Sequence, residues 1–181
     1  MKTIAFVVGS VRQGSLNQQL AVAISHLLPT DYEAVFADLS QLPMYNQDNE
    51  SPTPEAVLDF KKVIAASDAV IFVTPEYNRS IPALLKNAID HGSRPYGSSV
   101  WQGKPAGILG TSPGALGTAL AQQHLRNILS CLNMPVMSQP DVYLQYHDNT
   151  FDAEGHITSD STKAYLEGWV NQFVEWVKHN S

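Results

Sequence analysis

The chain has little cysteine and little charge. Cys131 is its one cysteine, so no disulfide can form within the chain, and nothing in the composition points to an oxidising compartment. Charged residues make up 15% of the 181 residues, and the formal net charge is -6 at pH 7. Because a chain of this sign has no general attraction to nucleic acid or to anionic membrane surfaces, we expect neither as a partner.

Long hydrophobic runs are also absent. The apolar stretch at residues 4–8 ends at Gly9, which makes it too short for a signal peptide, and no other stretch approaches the length that spans a bilayer. These features predict a soluble cytoplasmic protein without membrane insertion. The length predicts a single domain over residues 1–181.

The sequence does contain a regular alternation of short apolar segments and amphipathic segments. Continuous apolar runs at 4–8, 69–73 and 106–109 predict central strands that helices cover on both faces. Further strands are predicted at 32–39 and 135–137. Helices are predicted where apolar residues recur every three or four positions, on the stripes 16–27, 57–64, 84–89, 116–132 and 166–177.

Five strands that alternate with helices predict an α/β fold. The expected architecture is a three-layer, doubly wound five-stranded parallel sheet, and right-handed crossovers favour the flavodoxin-like strand order. Thr53 and Pro54 predict one helix start, with Thr as the N-cap and Pro at the first helical position. Residues 139–159 are polar and are expected to be irregular.

The segment after the first strand has the composition of a phosphate-binding loop. A helix that begins at this edge of a parallel sheet offers free backbone N–H groups to an anion. Ser10, Arg12, Ser15 and Asn17 add side-chain donors. The lysine of a Walker A loop and the Gly-x-Gly-x-x-Gly fingerprint are both absent, which disfavours a P-loop nucleotidase and an ordinary Rossmann dehydrogenase. The alternative is a turn in which Ser15 merely caps the helix.

Two further loops follow the third and fourth strands at the same edge of the sheet. Residues 74–80 read Thr-Pro-Glu-Tyr-Asn-Arg-Ser, a stiff loop with an aromatic side chain that suits a planar ring. An ordinary loop with Tyr77 packed on its own helix fits this segment equally well. Residues 110–117 contain three glycines, which indicates close approach of a ligand.

The third loop also matches the nucleophile elbow of serine hydrolases. Gly110-x-Ser112-x-Gly114 stands between a strand and a helix, and nominal triad partners lie downstream at Asp141, His147, Asp148 and His156. The oxyanion hole of that fold needs the backbone N–H of the residue after the nucleophile. That residue is Pro113, which has no N–H, so hydrolysis at Ser112 is disfavoured.

Taken together, the loops resemble those of the NADPH-dependent FMN reductase family, which includes chromate, quinone and azo-dye reductases. The resemblance covers essentially the whole chain. The motifs that carry it, in chain order, are Gly9-Ser10-x-Arg12-x-x-Ser15-x-Asn17, Leu42-Pro43-Met44-Tyr45-Asn46 and Thr74-Pro75-Glu76-Tyr77-Asn78.

The resemblance implies bound FMN, with NAD(P)H as co-substrate. It assigns the FMN phosphate to Ser10, Arg12, Ser15, Leu16 and Asn17. It assigns the isoalloxazine ring to Pro75, Glu76, Tyr77 and Asn78, with Ser112 and Gly114 at the border of the flavin. No side chain is assigned as catalytic and no metal is implied, because flavin N5 carries the hydride. Since NAD(P)H and the acceptor use one site in turn, ping-pong kinetics are expected.

The resemblance further implies small-molecule acceptors such as quinones, azo compounds, chromate or free flavin, and a homodimer or homotetramer with the flavin near a subunit interface. By the same analogy, Arg126 is expected to pair with Asp141 of a neighbouring subunit. Cys131 is expected to be a small core residue.

The main alternative is a flavodoxin-type electron carrier without NAD(P)H turnover. Such a carrier should have a strongly acidic surface around the flavin, whereas this chain is modestly acidic and places Arg79 and Arg94 after the third strand. The role of Arg79 stays open between attraction of a charged ligand and a solvated loop position.

Overall fold

The computed structural model describes residues 1–180. Its elements, in chain order, are β1 (Lys2–Val8), α1 (Leu16–His26), β2 (Tyr32–Phe36), a short 3-10 helix (Gln47–Asn49), α2 (Glu55–Ala66), β3 (Ala69–Val73), α3 (Ala83–Ser93), β4 (Ala106–Ser112), α4 (Ala119–Cys131), β5 (Tyr143–Gln145) and α5 (Asp160–Asn180). The strands form one parallel sheet in the order β2-β1-β3-β4-β5, which confirms the predicted fold class.

The sheet separates two hydrophobic cores. Side chains that alternate along β1 point to opposite faces, so Ile4 and Phe6 join one core while Ala5 and Val7 join the other. Helices α1 and α5 cover the first core, and helices α2, α3 and α4 cover the second. Every residue of β3 is fully buried, which explains why its sequence is a continuous apolar run.

Strand β1 lies between β2 and β3 in the sheet. Phe6 pairs with Phe36 of β2 on one side and with Ile71 of β3 on the other. β2 ends at Phe36 rather than at residue 39, because Asp38 Oδ1 accepts the N–H of Ser40 at 2.8 Å and turns the chain.

The predicted position of the fifth strand is wrong. β5 lies at Tyr143–Gln145, inside the stretch expected to be irregular, whereas Val136 of the predicted segment forms an isolated bridge with Ala106. β5 is a three-residue strand at the edge of the sheet, and Leu144 is its one buried residue. Such a segment carries too little alternation to be recognised from sequence.

Two helix starts differ from their predictions. The N-cap of α2 is Pro54 rather than Thr53, whose hydroxyl instead donates to the carbonyl of Glu50 at 2.7 Å. Helix α4 begins later than its apolar stripe suggests, because Gly117 and Thr118 adopt positive φ values of 50° and 68° and interrupt the helical path.

Two side chains on α4 also differ from expectation. Cys131 is exposed rather than buried, because it lies two positions beyond Leu129 and therefore on the far side of the helix from that buried residue. Arg126 pairs with Asp141 of its own chain at 2.6 Å and also donates to the carbonyl of Met137 at 2.7 Å. The two residues expected to pair between subunits thus pair within one chain.

No helix in residues 1–180 combines the length and the hydropathy needed to cross a bilayer.

The packing of α5 on β4 gives the first prediction. A Cβ added to Gly107 would lie 2.8 Å from Phe173 Cδ2 and 2.9 Å from Trp169 Cη2, which belong to two stacked rings. Gly107→Ala should therefore lower the free energy of unfolding by about 1–3 kcal/mol, measured by urea denaturation. The matched control is Gly168→Ala on α5, the helix that carries Trp169 and Phe173. The methyl added there meets open space and should raise the free energy of unfolding by about 0.5–1 kcal/mol. Equal effects of the two substitutions would contradict the packing argument.

Candidate functional site

Three loops meet at the carboxyl edge of the sheet around a cleft of about 180 Å³. The loop between β1 and α1, with the first turn of α1, contributes Ser10, Arg12, Ser15, Leu16 and Asn17. The residues that were assigned to a phosphate from sequence are therefore brought together.

The loops after β3 and β4 form the rest of the cleft. Their lining residues are Pro75, Glu76, Tyr77, Thr111, Ser112 and Pro113. Asn78 and Gly114, which were also assigned from sequence, do not line it. Sequence reasoning missed Thr111 and Pro113 as lining residues, although both are direct neighbours of Ser112 in a loop already singled out.

Two larger clefts, of about 350 Å³ and about 280 Å³, lie beside the same first loop and share Arg12 with the site. Their other walls come from the end of β2 and from residues 152–155 respectively. Neither is lined by the loops after β3 and β4, so the smaller cleft is the one in which all three loops can act on a single ligand.

The start of α1 leaves backbone donors available to an anion. Ser15 is the N-cap, and its Oγ accepts the N–H of Gln18 at 3.2 Å while its carbonyl accepts the N–H of Gln19 at 3.0 Å. Within residues 1–180, the N–H groups of Leu16 and Asn17 have no hydrogen-bond acceptor. Both lie at the positive end of the helix dipole, where a negative ligand is stabilised.

Arg12 is the cation of this loop. Its side chain is exposed and donates one hydrogen bond, from Nη1 to the neighbouring carbonyl of Gln13 at 3.1 Å. Within the described chain the guanidinium has no carboxylate partner, so its remaining donors are free to bind an anion.

The side chain of Asn17 joins the start of α1 to the end of β4, a role that its place in the motif does not reveal. Its side-chain amide donates to the carbonyl of Thr111 at 3.0 Å and accepts the N–H of the same residue at 3.0 Å, in a buried environment. The Thr111 hydroxyl in turn donates to the carbonyl of Leu144 at 2.9 Å. Asn17 therefore fixes the first loop to the end of β4, and through it to β5.

Glu76 holds the second loop against helix α4. Its Oε2 accepts the N–H groups of Leu120 and Ala121, at 3.0 Å and 3.1 Å, which are orphan donors of the first turn of that helix. The positive end of the helix dipole lies at this first turn and stabilises the negative carboxylate. The carboxylate thus fixes the loop to the start of α4.

This contact gives the second prediction. Glu76→Ala leaves the two N–H groups of α4 without their acceptor and should lower the free energy of unfolding by about 1–2 kcal/mol. Glu76→Gln keeps an acceptor oxygen and should lose less. Glu167→Ala is the control, since Glu167 is half-exposed on α5 and its pair with Lys163 spans 3.9 Å, so a change within about 0.5 kcal/mol is expected. A Glu76→Ala loss no larger than this control would refute the capping role.

A tight turn follows Glu76. Tyr77 and Ser80 exchange two backbone hydrogen bonds, of 2.9 Å and 3.0 Å, and the two residues between them have positive φ values, 50° at Asn78 and 66° at Arg79. These are the features of a type I′ turn, for which Asn-Gly is the preferred pair. An arginine at the second position carries a cost of about 1–2 kcal/mol that glycine would avoid.

The strain at this turn gives the third prediction. Arg79→Gly should leave the melting temperature unchanged or raise it, because relief of the left-handed strain outweighs or balances the greater freedom of glycine in the unfolded chain. Arg79→Val should lower it, since a β-branched residue is least compatible with positive φ. Thermal unfolding of the two variants against the parent checks this, and equal destabilisation by both would rule out strain at residue 79.

The motif at residues 42–46 lies outside the cleft and packs along α3. Asn87 accepts the N–H of Tyr45 at 2.7 Å and donates to the carbonyl of Pro43 at 2.8 Å. The Tyr45 hydroxyl donates to Glu50 at 2.7 Å, and Arg94 reaches the same carboxylate oxygen at 2.7 Å. The hydrogen bond from Arg94, supported by that from Tyr45, lowers the pKa of Glu50.

The hydrolase constellation is not assembled. Ser112 Oγ donates to the carbonyl of Gly114 at 3.1 Å, and no histidine within residues 1–180 accepts from it. Asp141 is engaged by Arg126, and His156 by Asp152 at 3.3 Å. Two of the nominal partners, Asp141 and His156, are thus engaged elsewhere.

The strand order and the three loops at one sheet edge define a flavodoxin-like protein. Residues 1–148 match the model of the family described as NADPH-dependent FMN reductase. The chain belongs to this family.

Relatives along nearly the whole chain agree with this assignment. The chain is 48% identical over 175 residues to 2-hydroxy-1,4-benzoquinone reductase of Burkholderia sp, covering 97% of this chain and 96% of that one. It is 45% identical over 179 residues to a quinone reductase of Pseudomonas putida, covering 98% and 96%. The structure superposes with a TM-score of 0.96 on FerB, a flavoenzyme NAD(P)H:(acceptor) oxidoreductase of Paracoccus denitrificans, at 44% identity and 99% coverage of both chains.

These similarities confirm the predicted family, the fold class and the enzyme class of FMN-dependent NAD(P)H oxidoreductase. They favour neither the electron carrier nor the serine hydrolase that the sequence left as alternatives.

Proposed function

We propose that this chain binds FMN in the cleft where the three loops meet, and that it passes electrons from NAD(P)H to small acceptors, quinones first among them. The observation that carries the proposal is the start of α1, where unpaired backbone N–H groups and the guanidinium of Arg12 converge at the carboxyl edge of the sheet. Quinone reductases among the relatives support the choice of acceptor.

The phosphate of FMN would be held by the first loop. The N–H groups of Leu16 and Asn17 supply two backbone donors, and the hydroxyls of Ser10 and Ser15 and the guanidinium of Arg12 supply side-chain donors. A donor set without a carboxylate fits a dianion. Asn17 contributes a second time by fixing the loop to Thr111 before any ligand arrives.

The flavin ring would rest on the other two loops, against Pro75 and Tyr77. Within the described residues, the N–H group of Glu76, which lines the cleft, has no acceptor and can donate to the polar edge of the ring; that of Asn78, next to the cleft, has no acceptor either. Donors fixed in this way stabilise negative charge that develops on reduction. Ser112 and Gly114 would border the ring from the third loop. FMN, when bound, supplies the hydride chemistry, so no side chain needs to act as acid or base.

We also propose that residues 1–181 act as one FMN-binding domain in the cytoplasm, where NAD(P)H is found, as a homodimer or homotetramer. Exposed apolar side chains near the cleft, those of Leu116 and Leu120, support an interface between subunits at this edge. Light scattering on the purified protein tests the oligomer, and a monomer at micromolar concentration would reject it.

The fourth prediction concerns the phosphate. Arg12→Ala should weaken FMN binding by about 1.5–3 kcal/mol, the range for a hydrogen bond to a charged group. Flavin fluorescence titrated with the cofactor-free protein measures the affinity. Lys62→Gln on α2 removes an equal charge from an exposed pair with Asp59 and should leave the affinity unchanged. Equal affinity of the Arg12 variant and the parent would remove Arg12 from the site.

The activity is tested by the absorption spectrum of the purified protein. Flavin bands should be present or appear with added FMN, fade when NADH or NADPH is added without oxygen, and return when a quinone follows. Failure of the purified protein to bind added FMN would refute the proposal. Protein that holds FMN but is reduced by neither dinucleotide would instead be an electron carrier.

A further inference from the structure

The cleft has a second cation beside its mouth. Arg79 follows the ring-side residues Glu76 and Tyr77, and its Nη1 lies 4.0 Å from Glu76 Oε1. That distance is beyond a hydrogen bond, and the other oxygen of the carboxylate is engaged by α4. The Arg79 side chain is 68% exposed, so its donors remain available to a ligand.

The backbone at this residue indicates that the side chain itself matters. The turn would form more easily with glycine at position 79, yet an arginine is held there at a φ of 66°. Local strain of this kind clusters at functional sites, where the surrounding structure enforces it. Here the two hydrogen bonds between Tyr77 and Ser80 enforce it, and a contact between Ser80 Oγ and His124 Nδ1 at 3.0 Å fixes the turn against α4.

Because the chain as a whole is acidic, one cation beside the cleft can change which ligands approach it. A net charge of -6 repels small anions from the surface in general, whereas an exposed guanidinium beside the cleft attracts them locally. Tyr77 beside it is 54% exposed and offers a ring face to a planar molecule. An aromatic face next to a guanidinium that makes no hydrogen bond within residues 1–180, and whose ion pair with Glu76 spans 4.0 Å, matches a planar acceptor that carries a single negative group.

We propose that Arg79 is a specificity-determining residue that favours anionic quinones over neutral ones. The inference rests on the proposed function, since it concerns the acceptor that reoxidises the bound flavin. Arg79 binds the anionic group while the quinone ring lies over the flavin beside Tyr77, and Arg79 takes no part in the transfer of electrons. A neutral quinone makes the second contact without the first.

The test measures the two halves of the reaction separately by stopped-flow absorbance of the flavin. The reduced holoenzyme is mixed with 1,2-naphthoquinone or with 1,2-naphthoquinone-4-sulfonate, which differ by one fixed negative charge. The rate of each variant is divided by that of the parent for the same quinone, so the different potentials of the two acceptors cancel. Reduction by NADH and by NADPH is measured in parallel.

Arg79→Gly should slow reoxidation by the sulfonated quinone about tenfold at low ionic strength, the lower end for a charge-assisted contact at an exposed site, and change the neutral quinone less than about twofold. Salt should shrink the difference. Arg79→Lys should keep most of the preference, and Arg79→Glu should reverse it. Lys178→Gln is the matched control, because Lys178 pairs with Glu175 near the amino end of β2, at the opposite edge of the sheet.

Three outcomes would overturn the inference. Equal slowing of both quinones would mean that the turn supports the site in general, and a loss confined to reduction by NADH or NADPH would make Arg79 a dinucleotide contact. No change with any acceptor would leave it a solvated residue. Failure of the proposed function itself is seen separately, because the parent enzyme would then not be reduced by NAD(P)H or reoxidised by the neutral quinone.

Discussion

The site depends on the pair of hydrogen bonds between the side chain of Asn17 and the backbone of Thr111. The two atoms of one amide satisfy a carbonyl and an N–H that would otherwise be buried without partners at the end of β4. Because each unsatisfied group would cost roughly 1–3 kcal/mol, separation of the two loops is unfavourable. The same residue lies in the first turn of α1, so the position of the helix start and the position of the third loop are set together.

The second loop is fixed in a comparable way from the other side of the sheet. Glu76 reaches the first turn of α4, and the backbone turn at Tyr77 and Ser80 rests on the same helix through His124. Each of the three loops is thus held by a neighbouring element in addition to its own hydrogen bonds. A rigid cleft with unpaired backbone donors results, and such donors cost little reorganisation when charge develops beside them.

The sequence was sufficient to predict those segments whose structure follows from their own residue pattern. The central strands are continuous apolar runs because helices cover both of their faces, and the first-loop residues singled out from sequence lie together at the cleft. It was insufficient where a residue's role depends on a distant partner. Asn17 reads as a ligand contact in the motif, whereas its partner Thr111 lies 94 positions away. β5 was missed for the same reason, since its backbone pairing with β4 rather than its own pattern makes it a strand.

The two unpaired N–H groups at the start of α1 have a consequence for the lifetime of the protein in a cell. Helix α1 belongs to one layer of the molecule and α4 to the other, and the cleft lies where their first turns approach a shared edge. An anion seated there stabilises the folded chain by mass action, so chains that lack it open more often at this edge. Proteases act on such openings, and cellular turnover would therefore remove empty chains before loaded ones.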